Sequence, residues 1–376
     1  MSTSNTTPFE LSSCNPSNFE SPASSISDMP GAPIDPSDLK ARLLLEDSKH
    51  LEDIHDFLVS IAQTGGIMML EADPFATESD TKNNSCDRVT VYDKAIEAMV
   101  KSKLADKYPN YQFLGEETGG DKQKLTSEPT FVCDPIDGTL NFTQGFPNVA
   151  ISLAFTVNLK PVIGVVFNPF RAEMFTAIKG QGAFFTRNGG PKQSLPLNKN
   201  AKPFTNLQEC LVAVEWGNER KGENWALRTS VHRKMLTDKK ENGAMVKSVR
   251  SSGSAALDFC YVATGWYDLF WEGGVWIWDV CAGWIIVEEA GGMVVGANPG
   301  EWNPTLEGRS YLPVRAGEGR EQVIEELWSL MDGKKFVYPS KKAKETRKGR
   351  NVMTTGLVSG ILGAVVLGLG SIYYSY

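Results

Sequence analysis

Five acidic residues of this chain stand where apolar runs stop. Glu116 and Glu117 follow Phe113-Leu114-Gly115, Asp134 and Asp137 follow Phe131-Val132-Cys133, and Asp279 follows Trp276-Ile277-Trp278. One acid after an apolar strand is ordinarily a surface turn or a helix cap. Several that converge on one cleft repel one another, and divalent cations relieve the repulsion. Mg2+ takes oxygen ligands, keeps part of its water and completes its shell with phosphate oxygens. A pair of such ions activates a water on one side and stabilises a leaving oxygen on the other. The residues alone point to metal-dependent chemistry on a phosphoryl group. The three histidines (His50, His55, His232) show no metal-ligand spacing, which argues for a hard, oxygen-bound cation over zinc or non-haem iron.

These acids need elements to hold them. From about residue 39, Leu43, Leu44, Leu51, Ile54, Phe57, Leu58 and Ile61 recur at helical spacing. That helix ends near Gly65-Gly66 or continues to Ala72. Residues 81–93 read as a polar loop into a second helix over 94–107, with Asp93 near its start as a cap. Strands over 111–114 and 130–133 deliver Glu116 and the Asp134/Asp137 pair. Further strands over 149–157, 161–168 and 173–178, with no helices between them, predict an antiparallel sheet. A strand at 210–214, a helix at 223–237, a strand near 246–250 and a helix from Ser254 to Thr264 follow. A helix from near Asp279 to Gly291-Gly292 and an amphipathic helix at 319–331 complete the body.

Three segments, GEET (115–118), DPIDGTLNF (134–142) and WDVCAGWIIVEEAGG (278–292), resemble the three metal-binding motifs of the inositol monophosphatase family. Order and separation match over roughly residues 45–330. The resemblance implies an α+β layered sandwich (αβαβα) and Mg2+-dependent hydrolysis of a phosphate monoester by a metal-activated water. It puts Glu116, Asp134, the carbonyl of Ile136, Asp137 and Asp279 on metal-ligand positions. Thr139, with Glu116, falls where the family activates the attacking water, and Asp137 is shared between metal and substrate. Gly138, Thr139, Gly253, Ser254, Ala255, Glu272 and Asp279 occupy substrate-contacting positions, and Lys82 and Asp87 match a loop tied to a third, weaker metal. Ser254 stands where threonine is common, and bulky Trp276 and Trp278 leave the pocket shape open; both tryptophans read as core, and Asn141 and Phe142 as residues that fix the turn and pack the core. Glu117 reads as a surface acid or one that supports the ligands. By resemblance the family is also homodimeric and lithium-sensitive.

Inositol monophosphate is the first substrate expectation, with Glu272 as acceptor for ring hydroxyls. A bisphosphate nucleotidase, a sugar bisphosphatase or a histidinol-phosphate phosphatase is the alternative. An inactive membrane-tethered scaffold is the alternative of another class.

The whole chain has 376 residues, 41% hydrophobic and 22% charged, with a net charge of -7. That composition is globular, and without a basic stripe in the body it argues against nucleic acid as a partner. Six scattered cysteines without a CxxC pair read as reduced and half-buried in a cytosolic protein. Residues 1–38, rich in Ser, Pro, Asn and Thr, read as a disordered extension, and 39–333 as the catalytic domain. Residues 334–350 read as a basic linker, with six basic residues against one acid within 341–350. Residues 351–376 carry no charge, contain Gly356-x-x-x-Gly360 and end in Tyr373, Tyr374 and Tyr376. Their length suits a C-terminal transmembrane anchor with the catalytic domain in the cytosol.

Overall fold

The first apolar stripe forms two helices, α1 (Pro36–Glu46) and α2 (Ser48–Glu71), separated at Asp47. The Asp47 carboxylate caps α2 by accepting from the His50 N–H at 3.0 Å. Gly65 and Gly66 do not end α2, although glycine weakens a helix by about 1 kcal/mol. A Cβ on Gly65 would lie 2.8 Å from Ile151 Cδ1, and one on Gly66 2.5 Å from Phe167 Cε1. The pair is the price of a close helix–sheet approach. The computed structural model describes residues 36–73, 79–81, 88–119 and 123–338.

In chain order there follow β1 (Ser79–Thr81), β2 (Arg88–Thr90), α3 (Val91–Lys107), β3 (Gln112–Gly115), β4 (Thr130–Asp137) and α4 (Thr139–Thr143). Then come β5 (Ala150–Val157), β6 (Lys160–Asn168), β7 (Glu173–Ile178), β8 (Ala183–Arg187), β9 (Gln193–Ser194) and β10 (Leu211–Val214). The remainder is α5 (Glu223–Leu236), β11 (Ser248–Arg250), α6 (Ala255–Thr264), β12 (Leu269–Gly273), α7 (Ile277–Glu289), β13 (Met293–Gly296), β14 (Ser310–Val314) and α8 (Arg320–Ser329).

Strands β3 to β9 form one sheet in sequence order. It is antiparallel from β4 onward, as expected, and parallel between β3 and β4. A smaller sheet has the order β11-β10-β12-β14-β13; the pattern of the sequence does not announce β12, β13 or β14. Three apolar cores stack these parts. Helices α2 and α3 cover one face of the large sheet. Helices α6 and α7 fill the space between the sheets. Helices α5 and α8 close the outer face of the small one. The result is the expected αβαβα sandwich, and with helices on both faces every residue of β4 and β5 is buried.

The transmembrane helix and membrane location expected from the C-terminus are corrected. No helix among the described residues is long and apolar enough to cross a membrane, and residues 351–376 lie outside the described residues. So do residues 1–35, Lys82 and Asp87. Residues 334–338, assigned above to the linker, pack on the body, with Phe336 only 4% exposed. Cys133, Cys210, Cys260 and Cys281 are unpaired, and they are fully rather than half buried.

Candidate active site

Two acids three apart on a regular strand point to opposite faces, because side chains alternate with a period of two. Asp134 and Asp137 escape this. Asp134 pairs with Ser152 and Asp137 with Ala150, so three steps on β4 match two on β5. The extra residue is a bulge at Pro135-Ile136, where proline removes a ladder donor. It brings both carboxylates to one side. The Asp134 carboxylate closes the bulge by accepting from the Ile136 N–H at 3.0 Å.

The third acid arrives on α7. Asp279 lies in its first turn, where it accepts from the Trp276 N–H at 2.7 Å. One carboxylate oxygen from each of Asp134, Asp137 and Asp279 lies within 4.8 Å of the other two. Asp137 is buried, and burial followed by the charge of Asp279 pushes its pKa up to about 7, against hydrogen bonds that pull it down. Those bonds come from Ser254 Oγ at 2.5 Å and the Ala256 N–H at 2.7 Å, both to Oδ2. An all-oxygen donor set in which burial and an acidic neighbour hold back the ionisation of Asp137 fits a hard divalent cation.

Glu116 sits half-buried just after β3, its N–H donating to the Cys133 carbonyl at 3.2 Å. It is not a member of the three-aspartate cluster. Thr139 follows Gly138, whose φ of +96° and whose neighbours, Gly253 O and Asn148 O at 3.0 and 3.1 Å from a would-be Cβ, admit only glycine. Thr139 Oγ1 lies 3.0 Å from the Ile136 carbonyl and 3.1 Å from Asp93 Oδ1. Asp93 has the expected capping role too, accepting from the N–H and hydroxyl of Thr90. Burial raises its pKa. Asn141 ties this turn to the carbonyls of Asn148 and Ser252 at 2.8 Å each, and Phe142 is core, both as expected. Gly253, Ser254 and Ala255 stand at the start of α6, with Ser254 capping it.

Glu272, on β12, is buried beside Arg228 of α5, whose guanidinium donates to its Oε1 at 3.0 Å. Burial raises the Glu272 pKa to about 8, and Arg228 only partly opposes this. Trp276 and Trp278 stack with centroids 5.4 Å apart, and Arg309 lies 3.3 Å above Trp276. Trp278 is core; Trp276 is half-buried under the arginine.

The motifs did not reveal several supporting residues. Glu97 of α3 is fully buried and accepts from the N–H groups of Glu117 and Thr118 at 2.7 Å each, which shapes the turn carrying Glu116. Glu215 accepts from the N–H groups of Ser252 and Gly253. Asp258 accepts from Ser252 Oγ at 2.6 Å, and burial and the charge of Glu215 hold its pKa well above the usual carboxylate range. Glu97 carried a faint signal, an acid one helical turn beyond Asp93 on the same face. Arg228, Glu215 and Asp258 carried none.

The family model for the inositol monophosphatase family matches residues 50–332. Inositol monophosphatase 2 of Saccharomyces cerevisiae is 42% identical over 292 residues, covering 75% of this chain and 96% of the yeast protein. Inositol monophosphatase 1 of Homo sapiens is 36% identical over 254 residues, covering 67% of this chain and 86% of the human protein. Among solved structures, the extragenic suppressor protein suhB of Bartonella henselae is similar with a TM-score of 0.61 and 27% identity, over 74% of this chain and 98% of that one. The carboxylate cluster, the sandwich that builds it and these likenesses agree: the chain belongs to the inositol monophosphatase family and is a Mg2+-dependent phosphatase.

Proposed function

We propose that this phosphatase hydrolyses the monoester of a cyclic polyol, with inositol monophosphate as the preferred substrate and inositol and phosphate as products. The observation that carries the reading is the cluster of Asp134, Asp137 and Asp279, with ligand oxygens within 4.8 Å of one another. Glu116, Asp134, Asp137, Asp279 and the Ile136 carbonyl would hold Mg2+. When bound, Mg2+ supplies charge neutralisation for phosphoryl oxygens and makes a nearby water more acidic.

The remaining chemistry belongs to the chain. The Thr139 hydroxyl has one proton, directed to Asp93 or to the Ile136 carbonyl. Its lone pairs accept from the attacking water, which Thr139 and Glu116 orient against phosphorus. As the new P–O bond forms, the ester P–O bond breaks; the water proton passes by way of Thr139 to Asp93, the departing alkoxide takes a proton from solvent water, and Asp93 returns its proton to solvent. N–H groups of Gly138 and Thr139 would hold phosphate oxygens, and Gly253, Ser254 and Ala255 would border the alcohol. Glu272 would accept ring hydroxyls. By family resemblance the chain acts as a homodimer, which light scattering at twice the 41.2 kDa chain mass would verify.

Initial rates with Mg2+ on inositol monophosphate, a nucleoside 3′,5′-bisphosphate, a sugar bisphosphate and histidinol phosphate test the substrate. Preference for inositol monophosphate is expected; a large preference for the nucleotide would overturn it.

A further inference from the structure

Beyond the last residue matched by the family model, at 332, the chain runs back over Gly273, next to Glu272. Residues 334–338 form a strap fixed by two asparagines, each pairing with the backbone through both amide atoms. Asn298 accepts from the Phe336 N–H at 2.7 Å and donates to its carbonyl at 3.2 Å. Asn224 accepts from the Val337 N–H at 2.9 Å and donates to its carbonyl at 3.1 Å. Reciprocal pairing of this kind fixes a backbone as a strand partner would.

The strap lies flat on Gly273. A Cβ there would stand 2.8 Å from both Phe336 Cδ2 and Tyr338 Oη. Gly273 holds the Arg228–Glu272 pair together: its N–H donates to Glu272 Oε1 at 2.8 Å, and its carbonyl accepts from Arg228 Nη2. The strap also touches the arginines on either side. The Phe336 ring lies 5.4 Å from the Arg228 guanidinium, and the Tyr338 ring 5.3 Å from that of Arg309. Arg309 in turn donates to the carbonyls of Gly274 and Val275, on the turn that leads to Asp279. Glu272 Oε2 is buried with no hydrogen-bond partner in the protein. Hydrogen bonds therefore hold its carboxylate through Oε1 alone, from Arg228 and the Gly273 N–H, the layer under the strap.

We propose that residues 334–338 are a specificity-determining strap: by pressing on Gly273 they orient Glu272 toward the hydroxyls of a polyol phosphate. This rests on the polyol reading above. Tyr338 is a positioning residue, and its ring does the positioning. Its hydroxyl is buried without a partner, so removing the oxygen costs nothing and leaves the packing in place.

The test compares kcat and KM of the full-length Mg2+-loaded enzyme on inositol monophosphate and on phenyl phosphate, whose alcohol carries no ring hydroxyls. Wild type favours the polyol ester. Y338A and N224A each raise KM for that ester about tenfold, leave both constants for phenyl phosphate unchanged, and Y338F restores wild-type values. A wild type without polyol preference overturns the polyol reading and the strap with it. A wild type with the preference, in variants that keep it or that lose both substrates in parallel, overturns the strap alone. Two variants on different anchors guard against one that merely misfolds, which a thermal melt of each reveals.

Discussion

Two groups built around buried acids, Asp137 and Glu272, differ in the charge that faces each acid. Around Asp137 the dominant electrostatic neighbour is another acid, Asp279. Around Glu272 it is a cation, Arg228. Burial raises the pKa at both. The first group is left with an excess of negative charge that an external cation can relieve. The second has Arg228 beside it, which donates to Glu272 Oε1 and leaves Oε2 without a protein partner. We read the acid-dominated group as the metal and phosphate end and the arginine-flanked group as the alcohol end.

The two groups separate most visibly in turnover. Asp137→Asn or Asp279→Asn should lower kcat at least roughly 10³-fold, several kcal/mol of transition-state stabilisation, with a retained circular dichroism spectrum. Stability should then move in opposite directions at the two groups. Glu272→Ala leaves a guanidinium that cannot deprotonate buried without its partner, which costs about 3–5 kcal/mol; a urea melt would register it. Asp137→Asn relieves repulsion and keeps an amide oxygen where Oδ2 accepts both of its hydrogen bonds. The metal-free variant should therefore melt higher than metal-free wild type. A lower melting point for both variants would dissolve the distinction.

A smaller effect belongs to Thr139→Val, which removes the hydroxyl between Asp93 and the Ile136 carbonyl. It should lower kcat roughly 10²-fold with KM little changed, as steady-state rates would reveal. The smallest is a pH slope. Asp137 keeps its proton to about pH 7 in the metal-free fold, against about 4 in an unfolded chain. Between those values the unfolded state releases protons that the folded state retains. The contribution of Asp137 to stability therefore falls as pH rises through that window and levels off above it. Urea midpoints of the metal-free protein at pH 5, 6 and 8 should follow this fall, and Asp137→Asn should make it shallower, leaving the part that the raised carboxyls of Asp93, Asp258 and Glu272 contribute.

The first group was legible in the sequence because its chemistry is local. Asp134, Pro135, Asp137, Gly138 and Thr139 form one bulge and one turn, and a short motif determines both. The second group was half legible. Glu272 could be placed through the family resemblance, seven residues before Asp279, but its partner Arg228 lies 44 residues away on another element. The same reason hid Glu215 and Asp258, whose proximity depends on β10 and α6 meeting through the small sheet. The Gly65-Gly66 pair reads as a helix end or as a point the helix runs through to Ala72, and the close approach of the sheet decides for the second. The strap stayed hidden because KKFVY reads as the start of a basic linker until Asn224 and Asn298 are seen to hold it. The apolar run at 351–376 suggested a membrane span on composition alone, and no described helix supports one.

If the aspartate cluster holds the cation, the Arg228–Glu272 pair does not. Isothermal titration of Mg2+ into the metal-free protein, beside a melt of each sample, tests it without any substrate. Wild type and Glu272→Gln should bind Mg2+ with closely similar affinity and gain melting temperature. Asp137→Asn and Asp279→Asn should lose most of both responses. Unchanged binding in the aspartate variants, or loss in Glu272→Gln alone, would contradict the account.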